Sequence, residues 1–276
     1  MARQKRIALI NDITGFGRCS VTVQLPLISA MRVQACPLPT AILSVHTGFP
    51  NHYLDDYTER MRPYMENWAA NALDFDAILT GFLGSEQQIE VVLECIARFK
   101  QRTTQVVVDP VMGDNGVLYS SYTPALCAKM RQLLPQADVV TPNLTEACQL
   151  LGADYPTGGL VTEDELARMA AAIAAMGPRT VIITGLHADE NVRTYLYADG
   201  CGRSFDNPKV GRDRSGAGDA FSAIIAAALV RGIPLAEGVP RAADFIGHCL
   251  TYAEELDLPW NHGLPFEEFM GELTEL

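Results

Sequence analysis

The chain repeats one pattern, in which a short and continuously apolar run is followed by a longer segment with apolar residues at helical spacing. Apolar runs without alternation are typical of parallel strands that are buried on both faces. Strands are predicted on this basis at residues 6–10, 35–44, 75–80, 105–108, 137–140 and 180–183. Residues 193–209 predict a β-hairpin, because Asp199-Gly200 is a preferred hairpin turn.

The segments between the strands have the periodicity of amphipathic helices. In segment 86–100 the apolar positions share one helix face: Ile89, Val92, Leu93 and Ile96. Helices are predicted over residues 21–31, 54–70, 86–100, 122–134, 144–151, 162–176, 237–255 and 266–273, with a more uniformly apolar helix at 220–230. Strands that alternate with helices predict a doubly wound α/β fold, with a mostly parallel central sheet and helices on both faces.

Composition narrows the class of protein. A chain of 276 residues with 48% hydrophobic content favours one large domain over residues 1–276. Its net charge of −12 argues against nucleic acid and against an anionic membrane surface as partners. It does not argue against ATP, which needs only local donors and a metal. The apolar run Ala220–Val230 is far too short to span a membrane.

The seven cysteines are widely spaced, and no CxxC pair occurs among them. A zinc site or a disulfide framework is therefore not expected, and the cysteines are interpreted as buried apolar residues. This usage fits a reducing compartment, so we expect a cytoplasmic protein.

The stretch from Asp213 to Asp219 (DRSGAGD) carries the strongest chemical signal in the chain. Two closely spaced glycines open an apolar helix whose first turn holds a carboxylate. Free N–H groups at a helix start bind anions, but a carboxylate there would repel phosphate. The combination is useful where the N–H groups of Ala217, Gly218 and Asp219 hold a phosphoryl group while Asp219 takes a proton from an alcohol. We therefore expect phosphoryl transfer to a small alcohol.

Polar residues stand at the carboxyl ends of several predicted strands: Asp12, Asp109, Asn143 and Thr184. Ligands of doubly wound sheets bind at that edge. We therefore expect these residues to lie along one edge together with the Gly216–Gly218 loop.

The segment Asp109-Pro-Val-Met-Gly-Asp114 follows one of these strands. Its two carboxylates would suit Mg²⁺, which takes one or two carboxylates together with water and phosphate oxygens. Asp, Pro and Gly are also ordinary turn residues, so a plain strand-ending turn is an equal alternative at this point.

Asn143 and Glu146 stand at the start of the next helix, three residues apart. In one interpretation Glu146 acts through Mg²⁺ or its waters and Asn143 contacts phosphate. In the other the two residues form a capping box, and both interpretations can hold at once. In the same way, His46 and Thr47 could contact a substrate, and Phe49 and Phe82 could stack on a flat ring, although such residues are more often structural.

Taken together, these segments resemble the ribokinase superfamily, and within it the branch of pyridoxal kinases and hydroxymethylpyrimidine kinases. The segments that carry the resemblance are His46-Thr-Gly-Phe49, Thr80-Gly-Phe82, Asp109–Asp114, Thr141-Pro-Asn-Leu-Thr-Glu146 and Ser215–Asp219. They occur in the family's order over nearly the whole chain. The HTG triplet favours the pyridoxal side of the branch.

The resemblance implies a role for each matched position. Asp219 would deprotonate a 5′-hydroxymethyl group, with Gly216, Ala217 and Gly218 forming the anion hole. The remaining roles are implied as follows: Asp109, Asp114 and Glu146 for the metal and phosphates; Asn143 and Thr184 for ATP; Thr47, with Asn11 or Asp12, for the polar edge of the pyridine; and Phe82 for the ring face. The resemblance also implies Mg²⁺ and a homodimer, and we expect no separate lid domain.

Two departures bear on the preferred substrate. Pyridoxal kinases usually have a serine near the end of the first strand, where this chain has Asn11-Asp12, and often a tyrosine where Phe82 stands. We therefore expect an ATP- and Mg²⁺-dependent kinase of pyridoxal, pyridoxamine or pyridoxine, that is, a pyridoxal kinase. The alternatives are a hydroxymethylpyrimidine kinase and a non-catalytic vitamer-binding protein on the same fold.

Overall fold

A nine-stranded mixed sheet forms the centre of the computed structural model, which describes residues 3–275. Its strands are β1 (Arg6–Phe16), β2 (Gln34–Val45), β3 (Leu54–Asp56), β4 (Ala77–Thr80), β5 (Gln105–Val108), β8 (Val139–Val140), β9 (Thr180–Ala188), β10 (Asn191–Ala198) and β11 (Cys201–Pro208). The strand order is β11-β10-β9-β8-β5-β4-β1-β2-β3. The six strands from β2 to β9 in this order are parallel, and antiparallel pairings add β3 at one edge and β10 followed by β11 at the other. A small hairpin of β6 (Gly113–Asp114) and β7 (Val117–Leu118) lies outside this sheet.

Helices cover both faces of the sheet. They are α1 (Val21–Ala30), α2 (Thr58–Ala70), α3 (Glu86–Phe99), α4 (Pro124–Met130), α5 (Leu144–Leu151), α6 (Glu163–Ala174), α7 (Ala217–Arg231), α8 (Leu235–Glu255) and α9 (Met270–Leu273). Helices α2 to α6 pack on one face, and α1, α7, α8 and α9 pack on the other. No helix in the described part of the chain is both long and apolar enough to cross a bilayer.

Strand β1 shows why the parallel strands read as continuous apolar runs. Its residues alternate between two separate cores, with Ile7 and Leu9 in one and Ala8 and Ile10 in the other, and all four are fully buried. Helices on both faces leave no solvent-exposed side, so a polar residue is not favoured at either set of positions. The predicted doubly wound α/β fold is thereby confirmed, and so is the hairpin, whose turn residues Asp199 and Gly200 both have positive φ.

Several predicted boundaries are wrong. Strand β1 continues to Phe16, so that Gly15 lies within a strand and not in a loop, and its pairing with β2 shifts register between Asn11 and Ile13. The helix expected from residue 54 begins at Thr58, because Leu54–Asp56 pairs with β2 as an edge strand. These stretches are polar or glycine-containing, and their backbone pairing leaves no apolar pattern.

Two further segments depart from prediction. The helix expected over 122–134 is α4 followed by a 3₁₀ turn at Arg131–Gln136. Strand β9 extends to Ala188, five residues beyond the predicted end at 183, because the hairpin partner β10 pairs with it.

Gln88, at the start of α3, is a buried amide that joins several elements. Its Oε1 accepts a hydrogen bond from the Gly84 N–H (2.7 Å), and its Nε2 donates to the Thr40 carbonyl and the Thr58 hydroxyl (both 2.8 Å). Only 1% of the residue is exposed. We predict that Gln88→Leu lowers the free energy of unfolding by about 1–3 kcal/mol in urea titrations, because buried polar groups lose their partners.

The neighbouring Gln87 provides a matched control, since it is exposed and its amide contacts only Glu59 (3.1 Å). Gln87→Leu should change the free energy of unfolding by less than about 0.5 kcal/mol. Equal effects of the two substitutions would contradict a structural role for the buried amide.

Candidate active site

The predicted site residues lie along the edge formed by the carboxyl ends of the parallel strands. Asp109 directly follows β5, and Asn143 follows β8. Asn143 forms an isolated parallel bridge with Thr184, whose N–H donates to the Pro142 carbonyl (2.9 Å). The start of α7 reaches the same edge, because Asp219 bonds to Asn11 in β1.

Asp219 is held by a hydrogen bond at each carboxylate oxygen. Its Oδ2 accepts from the backbone N–H of Ser20 (2.7 Å), and its Oδ1 accepts from the Asn11 amide (3.0 Å). Burial raises the pKa of Asp219 to about 6, the nearby Asp12 carboxylate adds to the rise, and the two hydrogen bonds oppose it. The group is therefore oriented, and it is mostly ionised at neutral pH.

Asn11 connects three parts of the edge. Its Nδ2 donates to Gln24 (2.9 Å) as well as to Asp219, and its Oδ1 accepts from the N–H groups of Asp12 (2.9 Å) and Phe82 (2.8 Å). The residue is fully buried. Because all of these hydrogen bonds go to protein groups, Asn11 orients the Asp219 carboxylate and the Phe82 backbone.

The loop before α7 has the shape of an anion site. Gly216 is the N-cap of α7 with φ of 87°, and a Cβ there would clash with the Arg18 carbonyl. A Cβ at Gly218, in contrast, would meet no atom within 4 Å. The first N–H groups of a helix have no intrahelical acceptor, and open space therefore lies beside donors that can hold an anion.

Glu146 ties two of the predicted segments together. Its Oε1 accepts from the Met112 N–H (3.1 Å) and its Oε2 from the Asn143 N–H (2.9 Å), while the Asn143 side chain accepts from the Glu146 N–H (3.0 Å) and donates to the Gly113 carbonyl (2.8 Å). The capping box that we considered as one alternative is thus present. It fixes the Asp109–Asp114 segment against α5.

The carboxylates of Asp109 and Glu146 are buried side by side. Burial raises the pKa of Asp109 well above its usual range, and the charges of Glu146 and Asp219 add to the rise. Burial likewise raises the pKa of Glu146. A bound cation would relieve this repulsion, so the donor chemistry fits a hard cation such as Mg²⁺.

These residues do not form a ready metal cage. Residues 3–275 contain no group of three or more His, Cys, Asp or Glu side chains placed to hold one ion. Mg²⁺ commonly uses one or two carboxylates and completes its shell with water and phosphate oxygens, so the assignment of Asp109, Asp114 and Glu146 to a metal stays a prediction.

Asp114 lies in the β6–β7 hairpin at the outer side of the edge. Its Oδ1 accepts from the Asn115 N–H (2.8 Å), and Asn115 Nδ2 reaches Asp213 (3.3 Å) in the loop before α7. Burial raises the pKa of Asp114. The hairpin therefore brings Asp114 to the glycine loop, which the spacing of the two segments does not reveal.

The residues expected to bind a ring are less closely grouped. Asp12 is 4% exposed and accepts a hydrogen bond from the Thr14 hydroxyl (2.6 Å), and burial raises its pKa. Phe82 is half-buried and meets Tyr122 edge-on, with 6.0 Å between ring centroids. Thr47 is exposed. Their assignment to a substrate ring stays a prediction.

His46 contacts the loop before α7 from the segment 46–49, which includes Thr47 and is called the ring loop below. Its Nδ1 accepts from the Gly48 N–H (3.0 Å), so the proton sits on Nε2, which lies 2.8 Å from the Asn261 carbonyl and 3.2 Å from the Ser215 hydroxyl. The Ser215 hydroxyl in turn donates to the Gly17 carbonyl (3.0 Å).

Sequence reasoning missed Ser20 and Gln24. Ser20 acts through a backbone N–H and has φ of 56°, and neither property is visible in the sequence. Gln24 left a signal, because it is the one polar residue in the apolar stretch 23–28 of α1 (VQLPLI), and it is fully buried against Asn11.

Comparison with known proteins adds a family to this geometry. The family model described as phosphomethylpyrimidine kinase matches residues 25–263. The chain belongs to the phosphomethylpyrimidine kinase family. The resemblance to the vitamin-kinase branch of the ribokinase superfamily is thereby confirmed, and the protein is a kinase-family member.

Some relatives of this chain are named as hydroxymethylpyrimidine kinases and others as pyridoxine or pyridoxal kinases. A hydroxymethylpyrimidine/phosphomethylpyrimidine kinase from Rhizobium meliloti is 30% identical over 90% of this chain and 91% of its own length. A pyridoxine kinase from Bacillus subtilis is 35% identical over 64% of each chain. A candidate phosphomethylpyrimidine kinase from Bacteroides thetaiotaomicron, crystallised with pyridoxal, is 34% identical with a TM-score of 0.92, covering 99% of this chain and 96% of its own.

The position of Asn11 leads to a prediction for stability. In Asn11→Ala the Phe82 N–H, Gln24 and Asp219 lose a buried partner, so the free energy of unfolding should fall by about 1–3 kcal/mol at pH 7 in urea titrations. The pKa of Asp219 should also rise, because a hydrogen bond that favours its charged form is lost.

Asn71→Ala is the control, since Asn71 is an exposed residue whose amide contacts the Asn67 carbonyl (2.8 Å) at a helix end. It should leave the urea midpoint nearly unchanged. An Asn11→Ala protein as stable as this control would show that the contacts of Asn11 contribute nothing to the fold.

Proposed function

We propose that this kinase-family protein transfers the γ-phosphoryl group of ATP to the 5′-hydroxymethyl group of a B6 vitamer, acting through one kinase domain. The observation that carries the proposal is the held carboxylate of Asp219 beside the free N–H groups of α7. A base and an anion site at the same helix start suit an alcohol as phosphoryl acceptor.

The proposed reaction transfers one proton and one phosphoryl group. Asp219 takes the hydroxyl proton as the alcohol oxygen forms its bond to the γ-phosphorus, and the bond from that phosphorus to the bridging oxygen breaks to leave ADP. The N–H groups of the Gly216–Gly218 loop and of Asp219 hold the phosphoryl oxygens, where charge is spread in the transition state. Asn11 and the Ser20 N–H keep the carboxylate aimed.

The proposal assigns the binding of Mg²⁺ and ATP to a second group of residues. Asp109, Asp114 and Glu146 would hold Mg²⁺ directly or through water, and the ion would neutralise phosphate charge when bound. Asn143, after β8, and Thr184, within β9, form an isolated parallel bridge, and both would contact ATP. The concentration of buried carboxylates at this edge supports the proposal, since ATP alone would be repelled there.

On the acceptor side, Thr47 and Asp12 would bond the polar edge of the ring, and Phe82 would flank its face. A B6 vitamer is favoured over a pyrimidine by two observations. The Bacteroides relative was crystallised with pyridoxal, and the His46-Thr47-Gly48 triplet resembles the pyridoxal kinases. Hydroxymethylpyrimidine is the second candidate, because the matched family model and the Rhizobium relative carry that name.

A substrate panel tests the choice of alcohol. We predict that kcat/KM with ATP and Mg²⁺ is at least about tenfold higher for the best of pyridoxal, pyridoxamine and pyridoxine than for hydroxymethylpyrimidine, a difference of about 1.4 kcal/mol in transition-state binding. ADP release measures turnover in each case.

Two outcomes of the panel would contradict the proposal. A ratio that favours the pyrimidine would make the protein a hydroxymethylpyrimidine kinase. Tight vitamer binding without ADP release would support a non-catalytic binding protein.

The role of Asp219 predicts a pH profile. A base must be ionised, and the pKa of Asp219 in the free protein is about 6, so kcat/KM should be flat above about pH 7 and fall about tenfold per unit well below pH 6. Asp219→Asn should lose on the order of 10²–10⁴ in kcat while ATP binding persists.

Asp244→Asn is the matched control, because Asp244 is exposed on α8 and contacts Asn207 (2.6 Å). Its kcat and pH profile should equal those of the wild type. If Asp219→Asn turned over as fast as this control, another group would have to be the base.

A further inference from the structure

A buried arginine lies directly before the loop that presents the anion site. The Arg214 side chain is only 3% exposed, and Ser215 and Gly216 follow it at the start of α7. Arginine is almost never buried so completely unless it is paired. The roles assigned above to this edge make no use of its charge.

The partners of Arg214 come from one place in the fold. Its Nη2 donates to Glu254 Oε1 (3.0 Å) in the last turn of α8, and its Nη1 donates to the carbonyl of Pro259 (3.1 Å) in the segment that follows. Its Nε is buried without a hydrogen-bond partner among residues 3–275.

This arrangement is poorly explained by stability. The carboxylate partner Glu254 is 46% exposed, and an ion pair with one exposed partner contributes little to stability, while the buried, unpartnered Nε of Arg214 adds a cost. A methionine at position 214 would fill similar space without a buried charge. An arginine at this position therefore points to a need for fixed geometry.

The geometry that Arg214 fixes is the backbone from Gly211 to Gly216. Glu254 packs so closely against Gly211 that a Cβ there would clash with its carboxylate. On the other side of the loop, Asn115 from the β6–β7 hairpin contacts Asp213 (3.3 Å). The loop is thus held between the end of α8 and the hairpin, and the Arg214 carbonyl accepts from the Ala217 N–H (3.4 Å) at the first turn of α7.

We propose that Arg214 is a positioning residue for phosphoryl transfer, which, anchored by Glu254 and the Pro259 carbonyl, fixes the backbone that presents the N–H groups of Gly218 and Asp219. The inference rests on the proposed use of those N–H groups as the anion site. It places the C-terminal part of the chain, from Glu254 to Pro259, among the determinants of catalysis, although that part carries no chemical motif.

Steady-state kinetics with ATP and the best alcohol of the panel provide the first test. Arg214→Met should lower kcat about 10- to 100-fold while KM for ATP and for the alcohol changes less than about threefold, because a displaced N–H group weakens transition-state contacts more than ground-state binding. Arg214→Lys, which can still reach one of the two acceptors, should restore part of the loss. Glu254→Gln should give a smaller loss of kcat.

Arg241→Met is the matched control. Arg241 also pairs with a glutamate of α8, Glu237 (2.9 Å), but that pair is exposed. Its kcat should stay within about twofold of wild type. Equal kcat for the Arg214→Met and Arg241→Met proteins would overturn the inference.

Hydrogen exchange provides a test that does not depend on turnover. In Arg214→Met, amides in a peptide covering residues 209–220 should exchange faster, with unchanged exchange in β4 and β5 and a Tm no more than a few degrees below wild type. Faster exchange throughout the chain, or a Tm loss that parallels the loss of kcat, would show a general structural role and overturn the inference. So would unchanged exchange at residues 209–220.

The two measurements separate this inference from the proposed function. A wild-type protein that phosphorylates none of the alcohols contradicts the proposed function, and the exchange comparison then still decides whether Arg214 holds the loop. Wild-type turnover with an unaffected Arg214→Met protein contradicts the positioning role alone.

Discussion

The hydrogen bond between Asn11 and Asp219 is the contact on which the site depends. It joins the middle of β1 to the start of α7 across 208 residues of sequence, and the same amide holds the Phe82 backbone and Gln24. A carboxylate among protein atoms is stable as an ion only where donors reach it. The requirement to hold Asp219 ionised therefore determines which residue can stand at position 11, and through it the mutual position of β1, the loop after β4, α1 and α7.

The fold was predictable because its parallel strands are buried on both faces. Runs such as Ile7–Ile10 and Gln105–Val108 have no solvent side, so apolar patterning marks them clearly. The sequence gives no such mark for β3 or for the polar end of β1, where backbone pairing with β2 alone makes the strand. The β6–β7 hairpin is also too short for a pattern, and the sequence predicts only a Mg²⁺ site or a strand-ending turn for the Asp109–Asp114 segment that contains β6.

The residues of the candidate site also divide into those that the sequence reveals and those that it does not. Asp219 could be found because a charge opens an apolar helix, and Glu146 because its spacing from Asn143 satisfies two interpretations that the structure shows to be compatible. The contacts of Asn11 within the protein could not be predicted, since Gln24, Phe82 and Asp219 lie 13, 71 and 208 residues away and two of its partners are backbone N–H groups. Contacts made by backbone atoms leave no residue type for a sequence reader to recognise.

The segment after α8, residues 259–263, also makes its contacts through backbone atoms, and these contacts reach several loops of the edge. Its backbone carbonyls at Pro259, Asn261 and His262 accept from Arg214, His46 and Arg18, which stand in the glycine loop, the loop beside Thr47 and the loop before Ser20. One short segment thus holds the three loops that surround Asp219. Because backbone carbonyls make these contacts, they constrain the backbone path of the segment. Gly263 reflects that constraint, since it has a φ of 76° and a Cβ there would clash with the Gly17 carbonyl. A change in this path would displace the three loops together, which makes the geometry of base, anion site and ring loop a single cooperative property of the fold.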